Sequence, residues 1–343
     1  MITVPQSYAP SSHTVRKPRL GFVGIGWIGL HRLKAVAAAE LVEIAALVDT
    51  RPENVFQARQ WAPGASLHEQ SSALLTEDID GVVIATPNAL HAAQSIEALE
   101  AGKAVFCQKP LGRNHKETRA VIDAARAADR LLGVDFSYRH LAGMHPLRAL
   151  LDSGELGDVY AAQAVFHNAY GPDKPWFYDP AQAGGGCVLD LGIHLLDMIL
   201  WPLHFPAISS VKSRLFARGA PVRRRGTSVE DYATVQMDLD GGIAATLACS
   251  WNLSLGCDAQ IELTFFGSKG GASIRNVNGS FFDFVTERFT GTRREVLHAP
   301  PDEWGGRALV QWADRLAHAP HFDPTVTQVA AVAHAVDRIY ESC

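Results

Sequence analysis

The stretch RLGFVGIGWIGLHRLKAVAAA, residues 19–39, decides the fold. Residues 19–24 form a short apolar run typical of a strand, and residues 30–39 have the apolar spacing of a helix. The pattern G-x-G-x-x-G lies between them, which is the context in which these glycines indicate a dinucleotide-binding turn. Gly24 permits the tight turn, Gly26 lets the backbone reach a pyrophosphate, and Gly29 lets helix and strand pack closely. The phosphates would lie at the helix N-terminus, where free N–H groups favour an anion.

Strands and helices alternate along the next hundred residues. Apolar runs at 43–48, 81–85, 104–107 and 131–135 predict buried strands, and helices are expected at 89–101 and 114–128. This alternation predicts a doubly wound parallel sheet of the Rossmann type. Ligands bind at the carboxyl ends of such strands. The glycine turn, Asp49, residues 86–88 and residues 108–110 all fall at that edge.

Asp49 ends the second strand, 20 residues after Gly29. An acid there would accept hydrogen bonds from the adenosine ribose hydroxyls and would repel a 2′-phosphate, so NAD is favoured over NADP. Arg51 follows two residues later and could pair with a phosphate, which keeps NADP possible. Asp49 could also cap the helix that follows it, and the two roles can coexist.

The bulk composition bounds the class of protein. With 343 residues, the chain is long enough for two domains and a sizeable core. Hydrophobic residues make up 47% and charged residues 20%, which excludes the disordered and fibrous classes. The net charge is −5 and no basic block occurs, so a nucleic-acid partner is not expected.

Cysteine usage and hydropathy favour a cytoplasmic protein. Five widely spaced cysteines without a C-x-x-C pair predict reduced thiols and no metal site. No run of about 18 apolar residues occurs, so no membrane span is expected. Residues 1–18 lack the apolar core of a signal peptide and are predicted to form a flexible arm.

The pattern changes after about residue 139. Runs with period-two alternation, such as 232–239, 243–251 and 260–266, predict a meandering antiparallel sheet between residues 207 and 296. Helices are expected near 146–153, at 303–317 and at 324–340. The predicted fold class is therefore α/β, with a dinucleotide-binding domain over 19–139 and a second α/β domain over 140–343.

The segment GGGCVLDLGIHLLD, residues 184–197, carries the predicted chemistry. Asp190, His194 and Asp197 stand at i, i+4 and i+7, so a regular helix would place them on one stripe. Apolar residues cover the other directions, which indicates a buried helix whose polar groups need partners. The stripe is predicted to face a ligand, and the glycines are predicted to let backbone and ligand approach closely. The alternative is a set of core polar residues that are satisfied by local hydrogen bonds.

Five motifs occur in order: GFVGIGWIG at 21–29, ATPNALH at 85–91, QKPL at 108–111, SGELGDV at 153–159 and AGGGCVLDLGIHLLD at 183–197. Together they resemble the Gfo/Idh/MocA oxidoreductases, the group of glucose–fructose oxidoreductase and inositol dehydrogenase. The resemblance implies NAD(P) in the first domain and an open, mostly antiparallel sheet, commonly used for oligomers, in the second. It also implies that Lys109, Asp190 and His194 are the catalytic or substrate-holding residues.

Two positions depart from that family's pattern. The family usually has Glu-Lys-Pro where this chain has Gln108, which keeps hydrogen bonding but loses a negative charge beside the nicotinamide. The family often carries an arginine after the tryptophan of the central loop, whereas Phe177 and Tyr178 follow Trp176 here. The second departure bears on the substrate class, since an arginine would favour anionic or polyhydroxylated partners.

Hydride transfer needs a positioned nicotinamide, a base for the hydroxyl proton and a donor for the developing oxyanion. We assign His194 as the acid–base group, Lys109 as the oxyanion holder, and Asp190 as the group that orients His194 or binds a neighbouring hydroxyl. Lys109 as the base stays open as an alternative. Trp176, Asp190 and His194 are the predicted substrate contacts. The predicted cofactor contacts are Gly24, Gly26, Trp27, Ile28, Gly29, Asp49, Thr86, Pro87, Asn88, His91, Gln108 and Lys109.

The expected function is an NAD(P)-dependent dehydrogenase or reductase of a sugar, polyol or related secondary alcohol. An NAD-assisted glycoside hydrolase and a cofactor-sensing binding protein without turnover are the alternatives. Trp251, Phe265 and Phe266 lie among the predicted strands of the second sheet, and an exposed apolar face of that kind marks an interface. A homodimer or homotetramer is therefore expected.

Overall fold

The computed structural model describes residues 16–343. Residues 1–15 of the predicted arm lie outside the described residues. Arg16 and Pro18, at the end of that predicted arm, both contact the first domain: the Arg16 guanidinium donates to Asp80 at 2.6 Å, and the Pro18 carbonyl accepts from the Glu43 N–H at 2.9 Å.

The first half of the chain forms a six-stranded parallel sheet in the order β3-β2-β1-β4-β5-β6. Its strands are β1 (Arg19–Val23), β2 (Glu43–Val48), β3 (Ser66–His68), β4 (Gly81–Ile84), β5 (Ala104–Gln108) and β6 (Leu132–Asp135). The order reverses between β1 and β4, which is the crevice where doubly wound sheets bind ligands. The predicted Rossmann sheet is confirmed.

Helices connect these strands. They are α1 (Trp27–Ala38), α2 (Pro52–Arg59), α3 (Ser71–Leu74), α4 (Asn88–Glu100) and α5 (His115–Ala128). The boundaries follow local chemistry: Asn114 caps α5 by accepting from the Glu117 N–H at 2.9 Å. α1 begins at Trp27, earlier than the apolar spacing predicted, so its first turn lies inside the glycine motif.

The second half forms a nine-stranded sheet in the order β15-β14-β13-β12-β7-β11-β10-β8-β9. Its elements are α6 (Met144–Asp152), β7 (Val159–Asn168), α7 (Pro180–Ala183), α8 (Ile193–Leu200), β8 (Ile208–Ala217), β9 (Ala220–Val222), β10 (Tyr232–Leu239), β11 (Ile243–Ser250), β12 (Ala259–Gly267), β13 (Gly271–Asn276), β14 (Phe284–Thr290) and β15 (Arg293–His298). β7 lies between β11 and β12 and runs parallel to β11, so the sheet is mostly antiparallel but is not a simple meander.

One face of this sheet packs against α8, and two of the three residues expected on an exposed apolar face are on the buried side. Trp251 and Phe265 are only 3% and 0% exposed, and Phe266 alone of the three is partly exposed. The prediction that Trp251 and Phe265 form an exposed interface was therefore wrong, whereas Phe266 pairs with Ala161 and lies on the open face. The strand registers place Gln163, Thr246 and other small or polar residues on the opposite face.

The chain ends in α9 (Arg307–His318) and α10 (Gln328–Glu341), and α9 returns to the first sheet. Trp312 of α9 packs on Phe106 of β5, with ring centroids 5.6 Å apart. A Cβ atom on Gly81 or Gly133 would lie 2.9 or 2.5 Å from the Trp312 ring, so both glycines make room for the indole. Packing contacts therefore cross the predicted domain boundary at residue 139.

The helical run Pro180–Leu200 has 21 residues and a mean hydropathy of 1.5, long and apolar enough to cross a membrane by those two measures. However, 89% of its most apolar window is buried inside the protein. Its apolar character is that of a core helix.

Candidate active site

Two parts of the chain meet at Lys109 and Asp190. Lys109 follows β5, at the carboxyl edge of the first sheet, and Asp190 precedes α8 in the second domain. The Lys109 ammonium donates to Asp190 Oδ1 at 2.7 Å and to the Asp190 carbonyl oxygen at 2.7 Å. The two side chains are 14% and 18% exposed, so the ion pair is largely screened from water. The structure thus joins two of the three predicted catalytic residues directly.

Buried Glu230 fixes the start of the segment that carries Asp190. Its Oε1 accepts from the backbone N–H groups of Gly186 and Val188 at 2.9 and 3.0 Å and from the Tyr340 hydroxyl at 2.7 Å. A Cβ on Gly186 would lie 1.9 Å from the Glu230 carbonyl oxygen, and one on Gly185 would lie 2.0 Å from the Tyr340 hydroxyl. These two glycines therefore make room for protein atoms, and the prediction that they admit a ligand was wrong.

Val188–Gly192 is wound as a π-turn, and α8 continues from it. A π-turn changes the angular step per residue, and such turns often occur at functional sites. Asp197 does not share the orientation of Asp190: it is 1% exposed and accepts from Arg139 Nε at 2.7 Å. The predicted three-residue ligand stripe is thus corrected, since Asp197 forms a buried ion pair with Arg139.

His194 lies in an aromatic pocket near the Lys109–Asp190 ion pair. The rings of Phe136, Tyr138 and Phe166 surround the imidazole at centroid distances of 6.5, 4.9 and 6.4 Å. Burial, with the nearby positive charges of Lys109 and Arg32, lowers the pKa of His194 well below its ordinary value. The imidazole is therefore neutral at neutral pH.

Asp190 does not orient His194 in this structure, so the first of its two predicted roles was wrong, and binding of a neighbouring hydroxyl stays a prediction. Its carboxylate is shared between the Lys109 ammonium and the Trp251 indole N–H, which donates to Oδ2 at 3.1 Å. The buried Nδ1 of His194 has no hydrogen-bond partner among residues 16–343. Packing by the aromatic rings, and not a carboxylate, sets the orientation of His194.

The aromatic loop predicted to contact substrate packs over Trp251. Trp176 stacks on Phe177 at 3.8 Å between centroids, and Phe177 and Tyr178 meet the Trp251 ring edge-on at 6.2 and 5.8 Å. Trp176 is partly exposed, and the hydrogen bonds of the Asp190 carboxylate in the described residues go to Lys109 and Trp251. Sequence analysis missed Trp251 as a site residue. Its position directly after β11 was visible, but its pairing with Asp190 was not.

The glycine turn has the shape that a dinucleotide requires. Gly24 has φ of +84°, and a Cβ on Gly29 would lie 2.2 Å from the Gly24 carbonyl oxygen. Gly26, which precedes α1, has only Arg51 Nη2 near its Cβ position, at 3.6 Å, and no side chain caps the helix there. Trp27 is exposed and Ile28 is partly exposed in the first turn. The turn therefore leaves the helix N-terminus open for a pyrophosphate.

Asp49 bonds within the protein through both of its oxygens. Oδ2 accepts from the Ile25 N–H of the glycine turn at 2.6 Å, and Oδ1 accepts from the Arg51 N–H and the Asn54 amide at 2.8 and 3.0 Å. These bonds fix the carboxylate between the turn and α2. Asp49 and Arg51 thus both lie beside the turn, where they can contact an adenosine ribose or its phosphate.

The ATPNALH segment links the cofactor edge to the second domain. The Thr86 hydroxyl donates to Gln94, and the buried Asn88 amide donates to the Ala183 carbonyl at 2.9 Å. His91 is buried with its two ring nitrogens each 2.7 Å from a carbonyl oxygen, those of Pro110 and Thr86. The predicted contacts Asn88 and His91 therefore hold the loops that carry Thr86, Pro87 and Lys109.

A buried polar chain lies behind Lys109. Gln108 Nε2 donates to Asp135 Oδ2 at 2.9 Å, and Gln108 Oε1 accepts from the Lys109 N–H at 2.9 Å. Arg32 of α1 donates to the same Asp135 oxygen at 2.6 Å. Sequence analysis missed Arg32 and Asp135, because 103 residues separate them and neither belongs to a motif.

Comparison with known proteins gives the family. Residues 18–136 match the profile described as the oxidoreductase family, NAD-binding Rossmann fold, and residues 144–273 match the GFO/IDH/MocA C-terminal domain. An inositol 2-dehydrogenase of Gluconacetobacter diazotrophicus is 32% identical over 334 residues, covering 88% of this chain and 93% of that protein. A D-glucoside 3-dehydrogenase of Escherichia coli is 28% identical, covering 77% of this chain and 79% of that protein.

A solved structure supports the fold. The aldose–aldose oxidoreductase of Caulobacter crescentus, complexed with glycerol, superposes with a TM-score of 0.82 at 22% identity, over 95% of this chain and 97% of that one. The profile matches, the relatives and the Lys109–Asp190 geometry agree on one conclusion. The chain belongs to the Gfo/Idh/MocA family of NAD(P)-dependent oxidoreductases.

Proposed function

We propose that this oxidoreductase interconverts a secondary alcohol and a ketone on a sugar, polyol or related small molecule. The observation that carries the proposal is the meeting of Lys109 with Asp190 at 2.7 Å, beside the neutral imidazole of His194. The relatives named inositol 2-dehydrogenase and D-glucoside 3-dehydrogenase support a polyhydroxylated substrate.

The residues have separate roles in the proposed reaction. NAD(P), when bound, supplies the hydride acceptor or donor. Two of the three ammonium donors of Lys109 are used on Asp190, which leaves one N–H for the substrate oxygen. His194 is neutral, so in the oxidative direction it can take the hydroxyl proton. This division favours Lys109 as the oxyanion holder and His194 as the base.

We propose that the chain prefers NAD(H) to NADP(H). Asp49 lies beside the glycine turn, where its carboxylate would repel a 2′-phosphate. Arg51, whose guanidinium lies near Gly26, is the residue that would reverse this preference. Fluorescence titration with NADH and NADPH tests the proposal, and tighter NADPH binding would assign Arg51 as a phosphate ligand.

The aromatic loop supports a neutral substrate. Phe177 and Tyr178 place two rings against Trp251, and Trp176 stacks on Phe177, in the loop where the family often has an arginine. Aromatic faces bury the apolar side of a sugar or polyol ring and leave its hydroxyls to polar groups. We therefore place the substrate between this loop and His194.

We propose a cytoplasmic homodimer or homotetramer. The five cysteines are free, and the Cys187 and Cys249 sulfurs lie 3.8 Å apart without a bond. The face of the second sheet that bears Gln163 and Thr246 is at least partly exposed at these two residues, which supports self-association through this face. Light scattering at micromolar concentration tests the oligomer, and a monomer would contradict it.

A screen of sugars and polyols with NAD⁺ and NADP⁺ tests the proposed reaction. Turnover should give a net change in nicotinamide absorbance. Product formation without a net change would support an NAD-assisted glycoside hydrolase instead. Tight cofactor binding without turnover of any polyhydroxylated compound would support a sensor protein.

A further inference from the structure

We propose that Arg32, Asp135 and Gln108 form a positioning chain for Lys109, in which the buried Arg32–Asp135 ion pair holds the Gln108 amide against the Lys109 N–H. The proposal concerns the placement of Lys109 and so rests on the role given to that residue above. It goes further because Arg32 and Asp135 lie outside every motif of the family resemblance.

The chain is continuous through hydrogen bonds. Arg32 Nε and Gln108 Nε2 both donate to Asp135 Oδ2, at 2.6 and 2.9 Å. The other end of the Gln108 amide accepts the Lys109 N–H at 2.9 Å. Gln108 and Asp135 are direct register partners on β5 and β6, so the backbone fixes their separation.

Burial makes these contacts obligatory. Asp135 is 0% exposed and Arg32 is 5% exposed, so neither charge can be satisfied by water. A buried ion is tolerated when it is paired and hydrogen-bonded. Burial first, then the charges of Lys109 and Arg32, lower the pKa of His194, which is consistent with Arg32 lying near the catalytic pocket.

This geometry explains why position 108 is an amide in this chain. The side chain must donate to Asp135 and accept from the Lys109 N–H, and an amide has one group of each kind. A glutamate would place a second carboxylate about 2.9 Å from Asp135 Oδ2, where two like charges cannot both be ionised.

A double-mutant cycle tests the proposal without a substrate. Gln108→Glu alone should lower the melting temperature by at least about 3 °C, since it sets two carboxylates together. Asp135→Asn alone leaves Arg32 buried without a counter-charge and should also lower it. The double variant restores one carboxylate and one amide, so it should melt at least half-way back towards wild type. Additive losses would show that positions 108 and 135 are not coupled and would overturn the proposed chain.

Kinetics then test the positioning of Lys109. Gln108→Met keeps the Arg32–Asp135 pair but removes the acceptor of the Lys109 N–H. It should lower kcat about tenfold or more, with the dissociation constant of NADH changed less than threefold. The double variant should recover more than half of the loss in kcat seen for Gln108→Glu.

Gln60→Glu is the matched control, because the substitution adds the same charge at an exposed position after α2, outside the proposed chain. It should leave both melting and kcat unchanged. If Gln108→Met kept the kcat of the wild type, the proposal for Lys109 would be overturned. If the wild-type protein itself turned over no sugar or polyol, the proposed reaction would be refuted, but the melting results would still test the chain.

Discussion

Trp251→Phe tests the hydrogen bond to Asp190 Oδ2, the carboxylate oxygen that is not bonded to Lys109. Phenylalanine keeps an aromatic ring against Phe177 and Tyr178 but removes the N–H that donates to Asp190 Oδ2 at 3.1 Å. A hydrogen bond to a charged group contributes about 1.5–3 kcal/mol. The lower end applies, because the contact is 3.1 Å long and Asp190 is 18% exposed, so water replaces part of it.

About 1.5 kcal/mol corresponds to about a tenfold loss in kcat/KM. Steady-state kinetics at saturating cofactor measures it, on the substrate that the screen identifies. Trp312→Phe is the control: Trp312 is equally buried in the core, but its Nε1 has no hydrogen-bond partner within residues 16–343. Both variants lose on the order of 1–2 kcal/mol of stability from the smaller ring. Equal effects of the two variants on kcat/KM would refute a role for the Trp251–Asp190 bond.

Three further predictions follow from the site. His194→Ala should lower turnover by about 10²–10⁴ while the affinity for NADH stays nearly unchanged, because no cofactor-turn residue contacts the imidazole in the described chain. In the wild-type enzyme, kcat/KM for oxidation should stay level from pH 8 down to 6.5 and fall only below pH 6.5, because the pKa of His194 is lowered and the base is lost on protonation; an acid limb centred above pH 7 would contradict this. Gly186→Ala should destabilise the protein by about 1–3 kcal/mol or more in urea unfolding, since its Cβ would lie 1.9 Å from the Glu230 carbonyl oxygen, whereas Gly64→Ala, with no atom within 4 Å, should not.

Local patterns predicted most of the fold. Apolar runs ended close to the observed ends of β2, β4 and β10, because a strand buried on at least one face needs a regular apolar pattern. The motifs also gave Lys109, Asp190 and His194, which the structure brings into one region. Such features depend on neighbours in sequence, which a single chain displays directly.

Contacts between distant segments could not be predicted in the same way. Trp251 lies 61 residues from Asp190, and Arg32 lies 103 residues from Asp135. The prediction that Asp197 faces a ligand was wrong for another reason. A helical wheel assumes a constant angular step per residue, and the π-turn at Val188–Gly192 changes that step. Nothing in the apolar spacing of that segment distinguishes a π-turn from an α-helix.

The return of α9 to the first sheet has a consequence for biosynthesis. β6 is complete at Asp135, but the helix that covers this face of the sheet begins at Arg307, about 170 residues later. At 5–20 residues per second, a ribosome needs on the order of 10–30 s to deliver it. During that interval Trp312 does not yet cover Phe106, Gly81 and Gly133. We therefore expect a chain truncated before Arg307 to aggregate, even though its nucleotide-binding strands are all present.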